Sequence, residues 1–93
     1  MNGVTFEWDP GKAMSNLRKH NVSFDEASTV FGDPLAITFH DPDHSLDENR
    51  CVTFGLSEHN RLIVVAHAER GRRTRIISAR PMNRKEREIY EEG

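Results

Sequence analysis

Arg61-Leu62-Ile63-Val64-Val65-Ala66-His67-Ala68-Glu69-Arg70-Gly71-Arg72-Arg73-Thr74-Arg75-Ile76-Ile77-Ser78-Ala79-Arg80 is the stretch on which the reading of this chain turns. Residues 62–66 are continuously apolar and Ile76-Ile77 is β-branched, so two β-forming runs flank a Gly-Arg-Arg turn. Gly71 supplies the positive φ that a tight hairpin wants. The pair is predicted to lie in the middle of a sheet. Arg70, Arg72, Arg73, Arg75 and Arg80 ride on it, with His67, Glu69 and Ser78 among them. Strand side chains alternate between faces. A two-residue turn sets Glu69 opposite Thr74, a three-residue turn sets it opposite Arg75, and a one-residue slip exchanges the faces. The sequence leaves that register open. One reading of the cluster is an anion site, phosphate above all, because guanidinium offers planar, bidentate donors that keep their charge. The other is a solvated hairpin tip with cross-strand Glu–Arg pairs, each contributing roughly 0.2–1 kcal/mol.

Working outward, 93 residues support one domain over positions 1–93, with a modest core. Cys51 is the single cysteine, so no internal disulfide is expected, and a small buried hydrophobe on a strand is its simplest role. No signal peptide or membrane-spanning apolar run is seen, and a cytoplasmic location is the expectation. A net charge of −2 and a pI near 6.2 argue against bulk, non-specific nucleic-acid binding. The signs are separated, however. Asp41, Asp43, Asp47 and Glu48 sit together, and most arginines fall in residues 61–87, which allows one locally basic face.

Phe6-Glu7-Trp8-Asp9 reads as a short strand, and Asp9-Pro10 opens a helix running to about His20. Ala13, Met14 and Leu17 form its predicted apolar stripe, with Lys12, Asn16 and Lys19 on the flanks. Asn21 is a left-handed stop. Ser23 and Glu26 have capping-box spacing, with Val22 and Ala27 as the staple. The second helix presents Phe24, Ala27, Val30 and Phe31 and ends at Gly32-Asp33-Pro34. Strands follow at residues 35–40 and 50–56, separated by a polar loop. After the central hairpin, Asn83 and Glu86 cap a final helix carrying Ile89 and Tyr90. The class is α+β: a short N-terminal strand, a two-helix hairpin, a four-stranded antiparallel sheet and a C-terminal helix. The helices cover one face and leave the other open.

Among chemistries, a metal site finds no support. His20, His40, His44, His59 and His67 form no recognised pair, there is no second cysteine, and no cofactor is expected. Ser45 and Ser78 lack the setting of a serine nucleophile. RNA cleavage without a metal needs a group to oppose charge on the crowded phosphate and groups to move protons. Arg70, Arg75 and Arg80 suit the first need; Glu69, His67, His44 and Tyr90 suit the second. Lys12, Lys19 and His20 read either as solvated or as a second wall of a basic groove. Arg84, Lys85 and Arg87 read as solvated, or as RNA contacts if the last helix folds over the sheet edge.

Phe6-Glu7-Trp8-Asp9-Pro10, Lys12-Ala13, Asn16, Lys19-His20, Val22-Ser23-Phe24, Glu26-Ala27, Val30-Phe31, Asp33-Pro34, His44-Ser45, Glu48, Arg50, Gly55, Glu69-Arg70-Gly71, Arg75-Ile76-Ile77-Ser78-Ala79-Arg80, Glu86-Arg87 and Tyr90-Glu91 together match a known pattern. Over nearly its whole length the chain resembles the BrnT family, toxins of type II toxin–antitoxin systems formerly grouped as a domain of unknown function. The resemblance implies a RelE-like fold and a ribonuclease that blocks translation when free. It implies a BrnA-like antitoxin with a ribbon-helix-helix DNA-binding part, a heterotetramer with two toxins, and contact with DNA only through that complex. The catalytic set expected on the combined reading is Glu69, Arg70, Arg75, Arg80 and His67. Lys19, His44, Ser78 and Lys85 are the expected RNA contacts. The competing expectation is a non-catalytic module whose sheet face docks a partner protein.

Overall fold

The computed structural model describes residues 5–41 and 49–93. Strand β1 (Thr5–Glu7) leads into α1 (Pro10–His20) and α2 (Phe24–Thr29), which tightens into a 3-10 turn at Val30–Gly32. Strands β2 (Ile37–His40), β3 (Asn49–Leu56), β4 (Leu62–Arg70) and β5 (Arg73–Pro81) follow, then α3 (Arg84–Glu92). No described helix is long and apolar enough to cross a membrane.

Local signals set the helix ends. Asp9 accepts from the Lys12 amide at 2.9 Å, Pro10 occupies the first turn, and Asn21 stops α1 in the left-handed region at φ 57°. Ser23 accepts from the Glu26 amide at 3.0 Å, but the expected capping box is only half made. The Glu26 carboxylate turns away, to Ser57 Oγ at 2.7 Å and Arg61 Nε at 2.9 Å. A charged donor next to a buried carboxylate outcompetes a backbone amide. That pair ties the β3–β4 turn to α2. Asn83 and Glu86 do form the full reciprocal box at the start of α3.

The sheet order is β1-β5-β4-β3-β2. It is therefore five-stranded and mixed, which corrects the expected four antiparallel strands: β1 adds to the outer edge of β5, parallel to it, with Phe6 opposite Thr74 and Glu7 opposite Arg75. Gly71 takes φ 61° in a two-residue turn that places Arg70 opposite Arg73 and Glu69 opposite Thr74. Between Ala66 and His67 the register shifts: Ala66 faces Ser78 while His67 faces Ile76, so Ile77 is an extra, bulged residue. The bulge resets the alternation. It lets Ile76 and Ala79, three positions apart, both enter the same core.

That core joins Val22, Phe24, Ala27 and Val30 of the helical layer to Ile63, Val65, Ile76 and Ala79 of the sheet, with Phe6, Trp8, Ala13 and Phe31 around it. Gly55 is required here, since a Cβ would meet Val30 Cγ1 at 2.6 Å. The opposite face is not wholly open, as expected, but is crossed at one end by α3. Phe54, Val64 and Met82 are buried there against Val52, Leu62 and Tyr90, and the Tyr90 hydroxyl donates to Asp33 at 2.6 Å. Among the described residues, the hairpin end of that face stays bare of helix.

Helix α1 sits differently from its predicted stripe. Met14 and Leu17 are exposed, whereas Asn16 is buried. Its amide donates to the carbonyls of Val22 (2.9 Å) and Ala79 (2.8 Å) and accepts from the Ala79 amide (3.0 Å). Asn16 thus stands in for the missing strand on the β5 edge beyond β1, where unpaired backbone groups would be costly.

Candidate functional site

Register and alternation divide the polar residues of the hairpin between two faces. On the face away from α1 and α2, Arg70 lies directly opposite Arg73, while Arg75 is opposite Ala68, which is opposite Arg50. Glu7 joins from β1, with 3.3 Å to Arg73 Nη1 and 3.7 Å to Arg75 Nη1. Four arginines from three strands and one carboxylate therefore share this end of the sheet. The Arg50 Nε is buried and has no hydrogen-bond partner among the described residues. A donor held out of water without an acceptor is suited to an incoming anion.

The face under α1 and α2 carries a different constellation. His67 Nδ1 lies 2.6 Å from Glu69 Oε2, and its Nε2 lies 2.7 Å from Thr53 Oγ1. Thr53 meets the Thr38 hydroxyl at 2.8 Å, and Thr74 donates to Glu69 Oε1 at 2.9 Å. An ionised carboxylate only accepts, so the imidazole carries its proton on Nδ1 and accepts from Thr53 at Nε2. Burial pushes the His67 pKa below its ordinary value against the opposing pull of Glu69, and the ring is neutral. The order hydroxyl, imidazole, carboxylate matches that of a nucleophile with its base. Access does not. The Thr53 hydroxyl belongs to a residue 1% exposed, and the His67 ring is capped edge-on by Phe31 at 4.9 Å. The chain of bonds ties β2, β3, β4 and β5 together, with Thr53 and His67 buried and its Glu69 end 40% exposed.

The expected catalytic set is thus split. Arg70 and Arg75 share the arginine face, whereas Glu69 and His67 lie behind it, on the other side of the sheet. The register that the sequence left open decides this, and the reason is parity: adjacent strand residues cannot share a face. Arg80 is on the arginine face but is engaged by a bidentate pair with Glu86, at 2.7 and 2.8 Å, which clamps α3 onto β5. The same pair holds the Glu86 carboxyl below its ordinary range. Among the expected RNA contacts, Lys19 and Ser78 come together across a hollow between α1 and β5. Lys85 is exposed on α3. His44 lies outside the described residues. Glu7 and Arg50 carry no site signal in the sequence, because the pairing of β1 with β5, and of β3 with β4, is what brings them to this end.

The chain matches the family model described as ribonuclease toxin, BrnT, of type II toxin–antitoxin system, over residues 8–86. A search of curated proteins found no match. Among solved structures, the fold is similar to the 1.1 Å crystal structure of the Brucella abortus ribonuclease toxin BrnT, with a TM-score of 0.69 and 20% identity over 88% of this chain and 100% of that one. The α+β arrangement with its mixed sheet is shared with that toxin. With most of its length inside the family model, the chain belongs to the BrnT family of ribonuclease toxins of type II toxin–antitoxin systems.

Proposed function

We propose that residues 1–93 form one RelE-like toxin domain that cleaves RNA without a metal ion and so blocks translation in the cytoplasm. The observation that carries the reading is the gathering of Arg50, Arg70, Arg73 and Arg75 on one end of one sheet face, with the Glu7 carboxylate among them. Arg70 and Arg75 hold the scissile phosphate and oppose the charge that grows on it. A ribose 2′-hydroxyl loses its proton to Glu7, its oxygen attacks phosphorus, and the P–O5′ bond breaks. The leaving oxygen takes a proton from water, giving a 2′,3′-cyclic phosphate and a 5′-hydroxyl. Glu69 and His67 act as positioning residues behind the sheet, and Arg80 does so through Glu86. Lys19, Ser78 and Lys85 extend the contact along the RNA.

The partner in this reading is a BrnA-like ribbon-helix-helix antitoxin that neutralises the toxin, in a heterotetramer with two toxins that meets DNA only through the antitoxin. The test incubates purified protein with total RNA, with and without EDTA. Cleavage equal in both supports the reading, and intact RNA in both overturns it. One observation favours a second reading, a protein-docking face: Phe39 is 41% exposed and lies on the same face as the arginines, next to Val52. Arg75→Glu separates the two. Lost toxicity with an intact antitoxin complex supports catalysis, and a lost complex supports docking.

A further inference from the structure

Helix α1 presents an inverted pattern to the sheet edge. Lys12, Ser15, Asn16, Lys19 and His20 fall at the i, i+3, i+4, i+7, i+8 spacing that normally carries an apolar stripe. Here that stripe is polar and faces β5, while the apolar Met14 and Leu17 point outward. A hollow of about 190 Å³ separates it from Ile77 and Ser78. Asn16 is spent on the backbone of Val22 and Ala79, so it forms the floor. What remains at the walls is two ammonium groups, two hydroxyls and an imidazole. No carboxylate lines the hollow among the described residues. The volume lies below the ~300–1,000 Å³ of sites that enclose a whole small ligand. It suits one tetrahedral anion gripped by point charges and hydroxyls.

Resting on the ribonuclease reading, we propose that this hollow binds an RNA phosphate that flanks the one held by the arginines. Ser78 links the two places. It lines the hollow, and its pairing with Ala66 puts it on the sheet face that carries Arg75, three residues earlier and about 10 Å away by the rise of a strand. β1 stops at Glu7, opposite Arg75, so no described strand pairs with the outer edge of β5 from Ile76 onward, where Asn16 takes up only the Ala79 backbone. An RNA chain can therefore pass from the arginines over that edge to Lys12 and Lys19.

The test compares wild type with the double variant Lys12→Gln/Lys19→Gln and with Arg18→Gln, which removes the neighbouring charge outside the hollow. The double variant is expected to raise KM for an oligonucleotide about tenfold, leave kcat within about twofold, and flatten the slope of log affinity against log salt by about 0.7 for the phosphate released. A dinucleotide with a single phosphodiester is expected to respond alike in all three proteins. Unchanged KM and salt slope in the double variant, with its helical circular dichroism intact, overturns the proposal. A second arm needs no cleavage. Inorganic phosphate is titrated while the amide signals of Ser15, Lys19, His20 and Ser78 are followed by NMR, and saturable shifts lost in the double variant support an anion site. Phosphate binding with no change in the RNA salt slope assigns the hollow to free phosphate and overturns the RNA assignment. If wild type cleaves no RNA, the catalytic reading fails by itself, and oligonucleotide affinity with the phosphate titration still decides the hollow.

Discussion

Glu69 and Arg70 are neighbours in the chain and strangers in the structure. Arg70 joins an arginine group on a face left bare by α3, whereas Glu69 closes a hydrogen-bond chain through His67 and Thr53 beneath the helical layer. At the hairpin end both faces are polar, and both hold groups that suit catalysis. What separates them is access. On one, charged donors reach water and Arg50 Nε has no acceptor among the described residues; on the other, each described member of the chain is satisfied within the protein. A buried polar chain whose members satisfy one another specifies how strands align, whereas charged groups at an open surface can exchange their partners for a ligand.

The largest effect that can break this contrast is on the open face. Arg75→Ala is expected to lower kcat for RNA about 10²–10³-fold, the scale of losing one donor to a charged transition state. Its melting temperature should stay near that of wild type, because the arginine's partner Glu7 keeps its pairing with Arg73. The mirror experiment is His67→Ala. It removes one partner each from Glu69 and Thr53 and opens a gap under Phe31, and is expected to cost about 2 kcal/mol. Calorimetry should show a melting temperature lower by about 10 °C, with cleavage retained below it.

A smaller effect sharpens the account of the sealed face. Because the folded His67 pKa is depressed, the unfolded chain binds its proton first as pH falls below the ordinary value of 6.5. Stability should therefore be full above pH 6.5 and decline between there and the lower folded value, by at most about 1.4 kcal/mol per pH unit. In urea titrations from pH 7.5 to 5.5, His67→Gln should lose that slope. The smallest expected effect is Arg80→Ala, which releases a half-exposed pair and is expected to cost about 0.5–1 kcal/mol. Hydrogen exchange should quicken in the amides of α3 and change little in β4.

Much of the fold was legible because its signals are local. Asp9-Pro10, Asn21 and the Asn83/Glu86 box each act within four residues, and Gly71 marks its own turn. What the sequence hid depends on distant partners. The bulge at Ile77 exists because Ile76 and Ala79 both fill the same core, and that core is made by α2. Glu26 has capping-box spacing, yet Arg61, thirty-five residues on, takes its carboxylate. β1 finds its partner at the far end of the chain, so Glu7 could not be placed beside the arginines. For the site, the arginine cluster was readable and its proton-moving partners were not, since residue types near in sequence say nothing of parity until the register is known. The α1 stripe was readable in principle: Lys12, Ser15, Asn16, Lys19 and His20 carry core spacing in polar residues, and the more familiar apolar trio drew the assignment instead.

The most direct test of an arginine face that takes RNA is titration with a non-cleavable 2′-O-methyl oligonucleotide, followed through side-chain NMR signals. The account expects the Nε–H signals of Arg70, Arg73 and Arg75 to shift and saturate together, while the His67 ring and the Thr53 methyl stay still. Movement of His67 and Thr53 with the guanidinium signals unmoved would contradict it and place the ligand on the other side of the sheet.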